Sequence, residues 1–332
     1  MNATGIEQLR PFRVPMRRRF RGVTERTGVL LQGPAGWGEF SPFPEYGPVY
    51  ASRWLAAALD AAGRDFPAAL RDRVPVNTTV PAVDAATAHR LVAASGCTTA
   101  KVKVAEPGQE LAADVDRVAA VRDALGPDGA VRVDANGAWD VATAVLAIAR
   151  LDRAAGGLEY VEQPCRTLEE LRDLRRRVEV ALAADESVRT AEDPLRIAGL
   201  DAADVIVVKV QPLGGVARAL EVVATAGLPA VVSSALETSV GLAAGVALAA
   251  ALPELPYACG LGTATLLTSD VTDRPLQPVD GHLEVRRVAP EAALMDQHTP
   301  EPDAAGELLE RLSLAWGHLS RAAPGGVADD RA

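Results

Sequence analysis

The chain has 332 residues, 48% hydrophobic and 23% charged, the profile of a folded globular protein with one or two domains and a large core. A net charge of −10 argues against nucleic acid as a partner, though not against an anionic small molecule, because a bound cation inverts the local field. Cys97, Cys165 and Cys259 form no CxxC pair, no apolar run suits a membrane span, and Arg17-Arg18-Arg19 and Arg21 precede no signal-peptide core; a cytoplasmic protein without a membrane partner is expected.

The first part of the chain reads as a small α+β unit. Residues 29–32 and 37–40 suggest strands joined by a hairpin-like Gly33-Pro34-Ala35-Gly36, and 53–64 a helix. The basic run Arg17-Arg18-Arg19 and Arg21 reads as a solvated loop or strand edge. From residue 74 strands and helices alternate. Strands are expected over 74–83, 100–105, 131–135, 158–162, 180–184, 205–210, 229–233 and 257–261. Helices are expected over 84–95, 109–125, 141–155, 168–178, 192–199, 216–226 and 239–252.

The strands are short, rich in Val and Ala, and apolar on both faces, as in a buried parallel sheet. Eight of them alternating with helices imply an α/β fold, a (β/α)8 TIM-type barrel. A doubly wound sheet would carry a glycine-rich loop after its first strand; Gly260-Leu261-Gly262 comes too late for that role. Residues 275–287 resemble a returning strand with an Asp280-Gly281 turn, and 304–320 an amphipathic helix before a frayed final dozen residues. The expected domains are a capping unit of 1–73, completed by about 275–332, and a barrel of 74–274.

Charged residues at the ends of apolar strands are costly unless they converge on something. Asp134, Glu162 and Asp185 end the third, fourth and fifth strands, with Lys101 and Lys103 on the second and Lys209 on the sixth. Alternation of side chains puts Lys101 with Lys103, and Asp134 with Asn136, on the same side. Three carboxylates in one dry pocket suit a hard cation such as Mg²⁺, and a lysine beside that cation and another lysine is poised to act as a base. Each residue alone has a blander reading: lysines protect an edge strand, an Asp caps a helix, a Glu pairs with an arginine. Five in order on consecutive strands outweigh those readings. His89, His282, His298 and His318 lie outside this set, with His89 at a helix surface, and the cysteines read as packing residues.

With these residues the chain resembles the enolase superfamily, in its muconate-lactonizing-enzyme branch. The likeness rests on Lys101-Val102-Lys103, Asp134-Ala135-Asn136, Glu162-Gln163-Pro164, Asp185-Glu186-Ser187 and Lys209, and spans nearly the whole length. The stretches 36–43, 233–241 and 259–263 add to it. The resemblance implies an Mg²⁺-dependent carbon–oxygen lyase, with Mn²⁺ a possible substitute. Its small-molecule carboxylate substrate would be a hydroxylated cyclohexadiene acid that loses water. Asp134, Glu162 and Asp185 would hold the metal. Lys103 would move the proton, Lys209 would stabilise the anion from the other face, and Lys101 would tune Lys103. Asn136 and Glu186 would orient the ligands, and Ser233, Ser234 and Gly262 would contact substrate. The loop between Arg13 and Thr27 would fold over the site, one arginine meeting a second substrate carboxylate. The alternatives within the branch are an N-acylamino-acid racemase, a dipeptide epimerase and a muconate cycloisomerase. The dipeptide epimerase is disfavoured because Gly260-Leu261-Gly262 stands where an Asp-x-Asp would be expected.

Overall fold

The computed structural model describes residues 5–20, 22–189 and 196–322. Its first element is a strand where a loop was expected. β1 (Gln8–Phe20) pairs antiparallel with β2 (Val23–Gly33), from Gln8↔Gln32 through Val14↔Arg26 to Phe20↔Val23, with a register irregularity between Pro15 and Phe20. The cause is a period-two pattern: Phe12, Val14 and Met16 are buried while Arg13, Pro15 and Arg17 are exposed. Arg17, Arg18 and Arg19 are exposed on this strand; Arg21 lies outside the described residues. β3 (Gly36–Phe40) completes the cap sheet in the order β1-β2-β3.

α1 (Pro48–Gly63) covers that sheet. It starts five residues before the expected Arg53 because Pro48 is preorganised for a first helical turn. Close approach here requires glycine: a Cβ built on Gly38 would lie 2.0 Å from the carbonyl oxygen of Ala58.

The expected strand over 74–83 is two short pieces, β4 (Arg73–Pro75) and β5 (Thr78–Val80). Then follow α2 (Ala85–Ala93), β6 (Thr99–Lys103), α3 (Leu111–Leu125), β7 (Ala130–Asp134), α4 (Val141–Ala155), β8 (Tyr160–Glu162) and α5 (Leu168–Arg175). β9 (Leu182–Ala184) leads to two single turns, α6 (Glu186–Arg189) and α7 (Arg196–Gly199); residues 192–195 of the expected helix lie outside the described residues. β10 (Val205–Val208), a turn α8 (Val210–Leu213), α9 (Val216–Ala226), β11 (Ala230–Val232) and α10 (Ser239–Ala251) complete the series. α10 is buried along nearly its whole length, consistent with its Ala- and Gly-rich sequence.

The seven strands β5 to β11 form one parallel sheet in sequence order. The eighth expected strand, 257–261, is reduced to two residues that join the sheet's edges. Gly260 N–H donates to Val232 O at 2.8 Å on one side; on the other, Cys259 N–H donates to Pro75 O at 2.7 Å and Asn77 N–H to Cys259 O at 3.0 Å. Single bridges Ser233↔Gly260 and Val76↔Cys259 mark the same seam. The ring is therefore closed, with one very short stave.

The strands were expected to be apolar on both faces, but the two faces differ. Val102, Val133, Val161, Ala184, Val208 and Val232 belong to the main core together with helix residues. Tyr160, Ala183, Val205, Val207 and Val231 form a separate small cluster inside the ring. Arg132 is fully buried there, its guanidinium 4.7 Å from the Tyr160 ring and 5.7 Å from Tyr257, donating to Glu159 and to Ala258 O.

The returning segment forms only β12 (His282–Glu284), which pairs with β4 rather than with the cap sheet. Its Asp280-Gly281 turn is as expected, both residues having positive φ, 51° and 70°. After a short α11 (Ala292–Gln297), the cap is completed by α12 (Pro302–Ala322), which packs on α1, β1 and β2. Arg311 of α12 donates to Pro42 O at 3.0 Å, Phe43 O at 2.5 Å and Tyr46 O at 2.9 Å. Residues 323–332 of the tail expected to fray lie outside the described residues. All three cysteines are free and buried, as packing residues should be. No helix among the described residues is long and apolar enough to cross a membrane.

The glycine geometry predicts that Gly38→Ala destabilises the protein by about 2 kcal/mol, since backbone must shift. Gly63→Ala, which meets nothing within 4 Å at the end of α1, should change stability by less than about 1 kcal/mol. Urea denaturation of both variants measures the difference.

Candidate active site

Parallel register sets the charged residues at one level. Lys103 pairs with Asp134, Asp134 with Glu162, and Glu162 with Ala183, two residues before Asp185. Paired residues of a parallel sheet point the same way, so Lys103, Asp134, Glu162 and Asp185 all face into the ring, and Lys101 faces in one step below. Lys209 follows β10 with the parity of Val207, which belongs to the inner cluster. Asp134, Glu162 and Asp185 are all at most 1% exposed, and Lys101 and Lys209 are 7% and 6% exposed.

Each acid is engaged by an amine. Lys101 Nζ donates to Asp134 Oδ2 at 2.9 Å and to Glu162 Oε1 at 2.6 Å. Lys103 Nζ donates to the same Asp134 oxygen at 2.5 Å and to Asn136 Oδ1 at 2.7 Å. Lys209 Nζ donates to Asp185 Oδ2 at 2.5 Å. Burial pushes Asp134 upward, but Lys101 and Lys103 outweigh it and hold this carboxyl well below its usual range. Burial likewise opposes the Lys101 charge, yet Asp134 and Glu162 raise Lys101 well above its ordinary value. Glu162 goes the other way: burial, then the neighbouring Asp134 charge, push it up to about 7 despite Lys101. The two acids compete for one ammonium, and the acid with two lysines wins.

The acids are held from behind. Gln163, fully buried with φ of 38°, accepts from Asp185 N–H at 2.9 Å and Ser187 N–H at 3.1 Å while donating to Ser187 Oγ at 2.7 Å and Cys165 O at 2.9 Å. Asp185 stands just before α6, where a capping acid would sit, but its Oδ2 is turned to Lys209. Asn136, at φ of 47°, donates its N–H to Asp134 Oδ1 at 3.0 Å and its side chain to Glu186 Oε1 at 3.2 Å. Sequence reading quoted Gln163 only as part of a motif; the signal for its role is its place directly after Glu162.

A small cavity of about 40 Å³ lies between Lys101, Lys103, Asp134, Asp185 and Lys209 on one side and a mixed wall on the other. Ser233 and Ser234 are on that wall, as expected. Ser234 Oγ hydrogen-bonds Thr263 Oγ1 at 2.6 Å, and Ser233 Oγ donates to Gly260 O at 3.3 Å. Gly262 is not brought to this wall: it faces a separate cavity of about 340 Å³ beside Asn77 and Thr265, and Thr263 takes the expected place. The reason is the 3₁₀ turn over Gly262–Leu266, which reorients successive residues. Phe20, Phe43, Thr79 and Leu236 also line the site; of these only Phe43 and Leu236 lie in stretches that support the resemblance, and none is singled out there. Phe20 comes from the β1–β2 hairpin, its ring centroid 5.5 Å from Lys103 Nζ, so the hairpin does reach over the site.

The trio presents only carboxylate oxygens on one face of three neighbouring strands, a donor set that fits Mg²⁺ or Mn²⁺ rather than a softer ion. Among the described residues no three His, Cys, Asp or Glu side chains are grouped to close on a metal. The acids instead carry three lysine partners, Lys101 and Lys209 buried and Lys103 partly buried.

A capped barrel with an acid trio between lysines at the strand ends defines an enzyme of the enolase type. The chain belongs to the enolase superfamily: the model of the enolase C-terminal domain-like family matches residues 84–291, and that of the enolase N-terminal domain-like family matches 12–62. Enzymes of this superfamily are metal-dependent, generally through Mg²⁺. The chain is 61% identical over 312 residues to an o-succinylbenzoate synthase of Thermobifida fusca, covering 94% of this chain and 98% of that one. It is 56% identical over 299 residues to an o-succinylbenzoate synthase of Mycolicibacterium smegmatis, covering 90% and 92%. In fold it matches a muconate lactonizing enzyme from Pseudomonas fluorescens complexed with muconolactone, with TM-score 0.76 and 23% identity over 89% of this chain and 99% of that one.

Glu39 lies at the cap–barrel contact beside this site, 2% exposed. It accepts from Ser41 Oγ at 2.7 Å, Thr238 Oγ1 at 2.6 Å and Gly241 N–H at 3.1 Å. Burial pushes it from 4.5 up to about 7, against the pull of those hydrogen bonds. A folded carboxyl that keeps its proton to higher pH than the free one gives stability that is fully present below about 4.5 and lost as pH rises to about 7. Glu39→Gln should therefore gain stability relative to the parent between pH 5 and pH 8, by up to about 3 kcal/mol. Melting temperatures of both proteins at the two pH values give the answer; a constant offset would contradict it.

Proposed function

We propose that the chain carries out the o-succinylbenzoate synthase reaction, loss of water from 2-succinyl-6-hydroxy-2,4-cyclohexadiene-1-carboxylate to give 2-succinylbenzoate, an intermediate of menaquinone synthesis. The observation that carries this reading is the match at 61% identity over 94% of the chain, in a barrel where Asp134, Asp185 and the three lysines line one cavity and Glu162 is tied to them through Lys101. Asp134, Glu162 and Asp185 would hold Mg²⁺, which would supply positive charge beside the substrate carboxylate as the neighbouring carbon loses its proton. In the structure three carboxylates are balanced by three ammonium groups; a bound dication and one substrate carboxylate leave room for one neutral amine.

Lys103 is that amine in the proposed mechanism. Its nitrogen takes the ring proton alpha to the carboxylate, the carbon–oxygen bond then breaks, and the departing hydroxyl receives the same proton and leaves as water. The ring becomes aromatic, and Lys103 ends as it began. Lys209 stays protonated on the far side of the trio and stabilises the anion as a cation beside the ring. Lys101 supports the Asp134–Glu162 pair from below, and Asn136 fixes the Lys103 amine. The 40 Å³ beside the lysines is too small for the whole substrate, but an adjoining space of about 280 Å³ shares Phe20, Lys103 and Asn136 and is lined by Arg18 and Arg19. The succinyl carboxylate would lie there, beside these two arginines.

A racemase would use the same lysines on opposite sides, so one assay addresses both readings. Purified protein with Mg²⁺ in D₂O is expected to dehydrate the cyclohexadiene acid and to leave N-succinylamino acids without solvent deuterium; the reverse pattern would favour the racemase. Lys103→Ala should lower kcat at least about 10³-fold with an unchanged circular dichroism spectrum. Asp185→Asn should weaken Mg²⁺ binding by at least about tenfold in calorimetry. Arg18→Met should raise KM by about tenfold, the worth of one charge-assisted hydrogen bond.

A further inference from the structure

Arg26 is a cap residue on β2, 2% exposed, that does not line the cavity but touches two residues that do. Its Nε donates to Leu236 O at 3.0 Å, its Nη2 donates to Ser41 O at 2.5 Å, and its guanidinium lies 4.3 Å from the centre of the Phe43 ring. Leu236 belongs to the barrel loop after β11, Phe43 to the cap. Both side chains form the wall opposite the acids.

Leu236 has φ of 62°, a left-handed conformation that an L side chain adopts only when its surroundings impose it. The surroundings are visible. Leu236 N–H donates to Ser234 Oγ at 3.3 Å, Ala235 N–H donates to Glu237 Oε2 at 2.7 Å, and Thr238 is tied to Glu39. The cap thus holds this loop at two points: Glu39 takes Thr238 and Gly241, and Arg26 takes the Leu236 carbonyl. The Arg26 charge pulls the buried Glu39 and Glu237 carboxyls down, against a larger upward push from burial.

We propose that Arg26 is a positioning residue for the substrate-facing wall: one buried guanidinium fixes the strained Leu236 carbonyl and the Phe43 ring together, so that cap and barrel present a single surface. A planar fork can satisfy two carbonyls and stack on a ring at once; an ammonium cannot. The consequence is in substrate binding rather than in proton transfer, because what Arg26 fixes is the wall at Ser41, Phe43 and Leu236. The kinetic part rests on the dehydration reading; the backbone part does not.

The test is a cycle of Arg26→Lys, Leu236→Gly and the double variant, in the full chain with Mg²⁺. Lysine keeps a cation between Glu39 and Glu237, and glycine adopts the left-handed conformation without help. Arg26→Lys is expected to raise KM about tenfold with kcat within threefold and Mg²⁺ affinity unchanged. Its effect should shrink to less than threefold in the Leu236→Gly background. Equal losses in both backgrounds, or a fall in kcat alone, would overturn the proposal. Hydrogen exchange gives a readout independent of the reaction: the Ala235 and Leu236 amides should exchange at least tenfold faster in Arg26→Lys, and unchanged protection would overturn the proposal even if the wild type proved inactive on this substrate. Absence of wild-type turnover would instead count against the dehydration reading alone.

Discussion

Everything at the mouth of this barrel follows from putting three carboxylates where water cannot reach them. Such a trio cannot stay charged without nearby positive charge, and the chain provides it from the strands on both sides. The price is shared unequally. Asp134, touched by two lysines, is held deprotonated, whereas Glu162, with half of one lysine and a charged neighbour, is pushed up to about 7. So close a balance is what the proposed metal role and the proposed use of Lys103 as a base would draw on.

The barrel makes this possible by giving its strands two unlike faces. Outward residues such as Val102, Val133 and Val208 bury against helices and hold the ring together. Inward residues in the middle are small or aromatic around the buried Arg132, and those at the C-terminal ends are charged, so stability and chemistry occupy different sides of the same short segments. The cap then closes the open end through Phe20 and Phe43, and buried Arg26 and Glu39 join it to the loop that carries Leu236.

The trio and its lysines were legible in the sequence because each lies at a strand end and alternation fixes its direction. Barrel order was legible for the same reason. What was not legible depends on contacts between distant segments. Arg26 and Leu236 are joined across 210 residues, and spacing within the 233–241 stretch does not reveal that partner. Gly262 was expected at the wall where Thr263 stands, because residue spacing does not reveal how a 3₁₀ turn aims its side chains. β1 was hidden by Pro11, Pro15 and the arginine run, which mimic a loop although Phe12, Val14 and Met16 keep strand periodicity. The eighth strand was expected over five residues; two suffice, since the seam needs only the hydrogen bonds of Cys259 and Gly260 and their partners.

The cap sheet and α1 are made early, but the helix that covers them begins at Pro302. On the ribosome the barrel units can dock one after another as they emerge, each against the last. The cap differs: α12 packs on α1, β1 and β2, and Arg311 reaches the carbonyls of Pro42, Phe43 and Tyr46 from 265–269 residues away. Closing the lid therefore depends on contacts far more distant in sequence than those between neighbouring barrel strands.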